Sequence, residues 1–176
     1  MERRLLRGFP PKVPRIEIET VDDIADVAPR ATHLLIDVDG TLLPFRGRDR
    51  GRETLLGGLV RIIDRQHPHV IVVTSNAAPQ WLLTESGLGA RVTMVARARK
   101  PWTSWERLDF PCTHEATACT RVVVGDQIWT DGLLALRLGV PFLQITHREP
   151  DEPLWPRFMR WTGGFAGKVI FTGGAA

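Results

Sequence analysis

Two aspartates one residue apart, Asp37 and Asp39, follow the apolar run Leu34-Leu35-Ile36 and precede Gly40 and Thr41. An apolar run without alternation reads as a strand buried on both faces. Strand geometry sends Asp37 and Asp39 to the same side, at the carboxyl end where open α/β sheets bind ligands. Two carboxylates there repel unless a cation or a proton is shared between them. A magnesium ion facing a phosphate ester would relieve that repulsion, because hard cations take oxygen ligands.

Other chemically useful groups follow three further strand-like runs. Residues 70–73 lead into Thr74-Ser75-Asn76, residues 92–95 lead to Ala98-Arg99-Lys100-Pro101, and residues 121–124 lead into Gly125-Asp126 and on to Thr130-Asp131. A hydroxyl, an ammonium and a second carboxylate pair are each placed to enter one crevice. Thr74 and Ser75 both qualify as the hydroxyl, since the strand could end at either. Taken singly, Ser75-Asn76 could be a strand-end cap, Asp126 a helix N-cap and Lys100 an exposed lysine. Those separate readings leave unexplained why every strand end carries a group that phosphoryl transfer needs.

In order and content these motifs resemble the haloacid dehalogenase (HAD) superfamily phosphatases: DVDGT at 37–41, Ser75-Asn76, Lys100-Pro101, and GDxxxxD at 125–131. The similarity spans roughly residues 33–145. A closer similarity is to the subfamily IIIA branch of YqeG-like proteins and phosphatidylglycerophosphate phosphatases, through 98–101, the 125–131 segment, Arg137 and Gly139. Gly40 and Leu136 stand where that branch carries asparagine. The resemblance implies a magnesium-dependent phosphomonoester hydrolase with an aspartyl-phosphate intermediate. Asp37 would be the nucleophile, and Asp39 the general acid and base, its backbone carbonyl also on Mg2+. Asp126 would be the main remaining metal ligand and Asp131 a second or outer one. Ser75 and Lys100 would hold phosphoryl oxygens, and Asn76 would orient the substrate or a flap. The implied substrate is phosphatidylglycerophosphate at the cytoplasmic face of the membrane. One alternative is a soluble HAD phosphatase for a sugar phosphate or nucleotide. Another is a non-catalytic nucleic-acid or ribosome-associated binding module. The intact acid set and the absence of tyrosine, hence of a full stacking array, argue against that last reading.

The elements that must position these groups predict an α/β protein: a three-layer Rossmann-like HAD fold around a central, mainly parallel five-stranded sheet. Strands are expected at 32–37, 69–74, 91–95, 120–125 and 141–145. Leu55, Leu56, Leu59, Ile62 and Ile63 have helical spacing over 52–66. Further helices are expected at 79–86, at 101–108 with Pro101 in its first position, and at 129–138, stopped by Gly139 and Pro141. Residues 1–31 read as a leader with an extended piece at 16–19 and a helical turn at 21–27 capped by Thr20. Residues 32–150 form the catalytic domain, and 151–176 an amphipathic tail that packs on the domain or lies on a membrane surface. Neither the interval 37–75 nor 75–100 has room for a large cap domain. The site is therefore expected to be open, which favours a bulky substrate.

A chain of 176 residues fits one domain with a substantial core. No apolar run is long enough for a transmembrane helix. The basic start is followed by Pro10, Pro11 and Pro14 in place of the apolar stretch of a secretory signal. The expected location is cytoplasmic, with peripheral association at the inner membrane face. Cys112 and Cys119 lack metal-ligand spacing and read as free thiols; His67 and His69 read as turn residues. The net charge of +3 comes with arginine clusters at 3–15, 46–52 and 91–100. Such clusters suit phosphate or anionic phospholipid. Oligomeric state is left open.

Overall fold

Runs of valine, leucine and isoleucine fill the centre of the chain's fold because both faces of its sheet are covered. The structure, a computed structural model, describes residues 12–43, 51–75, 92–104, 106–108, 120–147 and 152–173, with backbone alone at 51, 52 and 173. Its strands are β1 (Pro14–Ile18), β2 (His33–Asp37), β3 (Val70–Ser75), β4 (Val92–Ala96), β5 (Arg121–Gly125), β6 (Phe142–Ile145) and the two-residue β7 (Thr172–Gly173). They form one sheet in the order β4-β3-β2-β5-β6-β1-β7, and every pairing is parallel.

All five expected strands form, but the sheet is wider than five. β1 comes from the segment read as a leader and pairs with β6, Ile16 opposite Leu143. β7 comes from the tail and pairs with β1. The extended piece expected at 16–19 overlaps β1, but the pairing joins segments far apart in sequence, so nothing local announces its place in the sheet.

Alternation along β2 divides the core. Leu34 and Ile36 face one layer, with Leu55, Leu59 and Ile62 of α2 (Gly51–Gln66) and Ile24 of the four-residue α1 (Ile24–Val27). Leu35 faces the other, with Leu134, Ala135 and Leu136 of α3 (Leu133–Leu138) and with Phe142 and Phe171. Thr20 caps the 3-10 turn at Val21–Asp23 that leads into α1, in a reciprocal box with Asp23. Arg61 ties α2 back to Asp22 at 3.0 Å.

The expected helix at 129–138 is present as a π-helical turn, Ile128–Gly132, continued by α3 and ended by Gly139 at φ +69°. The described residues among 101–108 form turns and irregular backbone and not the expected helix. Arg97 and Arg99 turn the chain with φ of 49° and 55°, and Arg137 Nη1 takes the Pro101 carbonyl at 2.6 Å. The expected helix at 79–86 and both cysteines lie outside the described residues.

The tail forms α4 (Leu154–Ile170), whose buried positions Pro156, Gly163 and Gly167 share one face. A Cβ at Gly167 would lie 2.6 Å from Ile128 Cδ1 and 2.9 Å from Arg15 Nη1. Trp129 Nε1 donates to Thr162 Oγ1 at 2.8 Å across the same seam. Gly167→Leu should therefore force α4 off the π turn and destabilise the fold by about 2 kcal/mol. A lowered urea midpoint with an unchanged slope checks this, and an unchanged midpoint contradicts it.

Candidate active site

The order of the sheet decides where a site can form. From β2 the chain steps outward through β3 to β4, then returns to the other side of β2 as β5. The crevice at the carboxyl ends of β2 and β5 is the switch point of such a sheet. Asp37 is the last residue of β2, and Asp126 is the first after β5.

Asp37, Asp126 and Asp131 meet there. Each offers a carboxylate oxygen within 4.8 Å of the others, and all three are buried. Asp131 arrives from the π-helical turn, whose backbone places it four residues past Gln127, where its N–H donates to the Gln127 carbonyl at 2.9 Å. Gly125 makes room for it, since a Cβ there would lie 2.4 Å from the Asp131 carboxyl. Both ends of the GDxxxxD spacing thus have a steric reason.

Lys100 enters from the turn after β4, and its side chain is only 3% exposed. Its ammonium donates to Asp37 Oδ1 and, at 2.7 Å, to Asp131 Oδ1. On the far side, Arg160 of α4 donates to Asp126 Oδ2 at 3.1 Å and to Glu152 at 2.6 Å. The Gln144 amide donates to the Asp126 backbone carbonyl at 3.3 Å, and Gln144 itself accepts from Arg15 Nε at 2.6 Å.

These cations do not balance the acids. Burial first, then the charge of Asp131, push the Asp37 carboxyl well above the usual carboxylate range, against the pull of Lys100. The same two causes push Asp126 up to about 7, with Arg160 and Lys100 opposing. Burial alone would lower Lys100, but Asp131 and Asp37 outweigh it and raise its pKa. Asp126 Oδ1 is buried with no hydrogen-bond partner among the described residues. A buried carboxylate oxygen in that position is costly, and an all-oxygen donor set suits a hard divalent cation such as Mg2+ or Ca2+. The residues present fit a metal ion, and the coarse expectation of a metal site holds.

Asp39 lies beside this cluster, outside the metal-competent trio. Its Oδ2 accepts from Ser75 Oγ at 2.7 Å. The Thr74 hydroxyl is turned to the Ile36 carbonyl at 3.3 Å, so of the two candidate hydroxyls Ser75 is the one at the site. That contact holds the carboxyl of the proposed acid. Gly40, at φ +79°, lets the chain turn sharply after Asp39. The N–H groups of Val38, Gly40 and Thr41 are spent on the carbonyls of Thr74, Leu43 and Val38. Next to that turn is a cleft of about 290 Å³ lined by Glu19, Gly40, Thr41, Arg61, His147 and Arg160, among others. The acidic cluster lies beside this cleft and does not line it. Asn76 lies outside the described residues.

Sequence reasoning missed Arg160, Glu152 and Gln144. A weak cue to Arg160 exists: it falls on the helical face of Pro156, Gly163 and Gly167, where the other residues are small or apolar.

The raised carboxyls fix a pH dependence. The native Asp126 keeps its proton to about 7, whereas its ordinary value is 3.8. Between these values the native state binds more protons than the unfolded one, so stability falls as pH rises. Metal-free protein should accordingly show a lower thermal midpoint at neutral pH than near pH 5, and added Mg2+ should restore it at neutral pH. A midpoint that climbs across this window and ignores Mg2+ contradicts the assignment.

No family model, no curated protein and no solved structure matches the chain, so the chemistry of this site rests on its own geometry.

Proposed function

We propose that this chain is a magnesium-dependent phosphomonoester hydrolase of the HAD type, acting on phosphatidylglycerophosphate at the cytoplasmic membrane face. The observation that carries the reading is the meeting of Asp37, Asp126 and Asp131 around the Lys100 ammonium at the switch point of a parallel sheet. A structural ion-pair network would be balanced; among the described residues this one has more acid than base and leaves Asp126 Oδ1 without a partner.

The residues would divide the work as follows. Asp37 attacks phosphorus, forming an acyl phosphate as the ester oxygen departs, which replaces one slow hydrolysis by two easier displacements. Lys100 favours the ionised form of Asp37, opposing burial and Asp131, and pairs with the phosphoryl oxygens as their charge grows. Asp39, steadied by the Ser75 hydroxyl, gives its proton to the departing alkoxide, then takes one from the water that cleaves the acyl phosphate. Asp37, Asp126 and the Asp39 carbonyl would hold the metal, with Asp131 as a second or outer ligand. A bound Mg2+ would supply neutralisation of the phosphoryl oxygens.

The lipid substrate is supported by the resemblance to phosphatidylglycerophosphate phosphatases, by the short intervals between motifs, and by the basic character of the chain. A second reading, a soluble phosphatase for a sugar phosphate or nucleotide, draws on the cleft next to Gly40, whose lining includes Arg61, His147 and Arg160.

Phosphate release from p-nitrophenyl phosphate should require Mg2+ and fall to background in Asp37→Asn. Asp39→Asn should lose about 100-fold or more on alkyl phosphates, whose leaving group needs a proton. Undiminished release in Asp37→Asn contradicts the mechanism. On a substrate panel, rapid turnover of a soluble ester with inert phosphatidylglycerophosphate would replace the lipid reading by the second one.

A further inference from the structure

We infer that α4 is an interfacial helix that seats the protein on an anionic bilayer. The inference rests on the membrane-facing part of the proposed function and makes no use of its chemistry. Six large apolar side chains of α4 stand in solvent: Leu154, Trp155, Phe158, Trp161, Phe165 and Val169, each 51% to 80% exposed. Their spacing puts them on one face, opposite Gly163 and Gly167. Four of them touch in a ladder, with ring centroids 6.0 Å apart for Trp155 and Phe158, 6.3 Å for Phe158 and Trp161, and 5.6 Å for Trp161 and Phe165. An exposed apolar stripe of this length marks an interaction surface. The face is also held rigidly, because the buried side of the helix is keyed onto Ile128 and tied by Arg160 to Asp126.

Charge selects the occupant. α4 contains no acidic residue, and Arg157 and Lys168 are exposed along one flank of the stripe. Lys168 has no ion-pair partner among the described residues. A groove of about 480 Å³ runs beside it, lined by Arg15, Gln144, Arg160, Trp161, Phe165 and Lys168 and by Glu17, which pairs with Arg15. Aromatic rings next to cations are what the headgroup boundary of an anionic membrane accommodates. A second copy of the chain fits less well, since antiparallel pairing through the stripe sets one basic flank against the other. No described helix is long and apolar enough to cross a membrane, so the helix would lie in the plane of the surface. Arg160, on the buried face opposite the stripe, joins the same helix to Asp126, so the carboxylate crevice would lie across α4 from the lipid.

The full chain is sedimented with vesicles of phosphatidylcholine alone and with one quarter phosphatidylglycerol. Wild type should pellet with the anionic vesicles, release as salt rises, and show tryptophan quenching by acyl-brominated lipid. Trp161→Gln with Phe165→Gln should weaken this binding at least tenfold, and Lys168→Glu should weaken it for anionic vesicles alone. Both variants should keep the wild-type thermal midpoint and turnover of p-nitrophenyl phosphate. Wild type that stays in the supernatant overturns the inference, as does a double variant that binds equally. A wild-type dimer that the double variant converts to monomer also overturns it, by assigning the stripe to a second copy. Vesicle binding needs no catalysis, so inactivity of the protein would sink the phosphatase reading and leave this one standing.

Discussion

One ammonium shared by two buried carboxylates organises the functional end of this protein. Lys100 bonds Asp37 at the end of β2 and Asp131 in the π-helical turn after β5, so it joins the two halves of the sheet across the switch point. Removing one partner of such a pair leaves an uncompensated charge in a dry site, a cost of several kcal/mol. The surrounding backbone accommodates the arrangement. Arg97 and Arg99 adopt left-handed conformations to bring Lys100 inward, and Gly125 carries no Cβ where the Asp131 carboxyl sits. A parallel sheet supplies the common end to which all these groups are delivered.

The third carboxylate turns a structural pair into a site. Asp126 adds a negative charge that Arg160 only partly offsets, because that guanidinium also serves Glu152. Within a low-dielectric crevice the excess charge favours either protonation or a divalent ion. Both outcomes would follow from the same imbalance, so binding of an ion at this cluster would be linked to pH. Asp39 stands apart from that competition, hydrogen-bonded to Ser75.

Legibility in the sequence followed locality. Asp37, Asp39, Lys100, Asp126 and Asp131 could be read because each closes a strand-like run or sits a fixed few residues beyond one. The strands β2 to β6 were readable for the same reason, being continuous apolar runs. Arg160 was not, since its partner Asp126 is 34 residues away and its helix looks like an amphipathic tail. β1 was missed as a sheet member because its ladder with β6 spans most of the chain. The 101–108 segment misled in the opposite direction: Pro101 suits a first helical position, but Arg137 takes its carbonyl and Trp102 stacks 5.3 Å from that guanidinium. Long-range side-chain bonds overrode local propensity there.

Covalent capture tests the central claim most directly. Acid quenching of Mg2+-loaded protein during turnover of a phosphate ester should trap one phosphoryl group, labile to hydroxylamine, on the peptide that contains Asp37. Steady hydrolysis with no trapped phosphoryl group, or with the label on a peptide lacking Asp37, would show that the buried carboxylates serve another purpose.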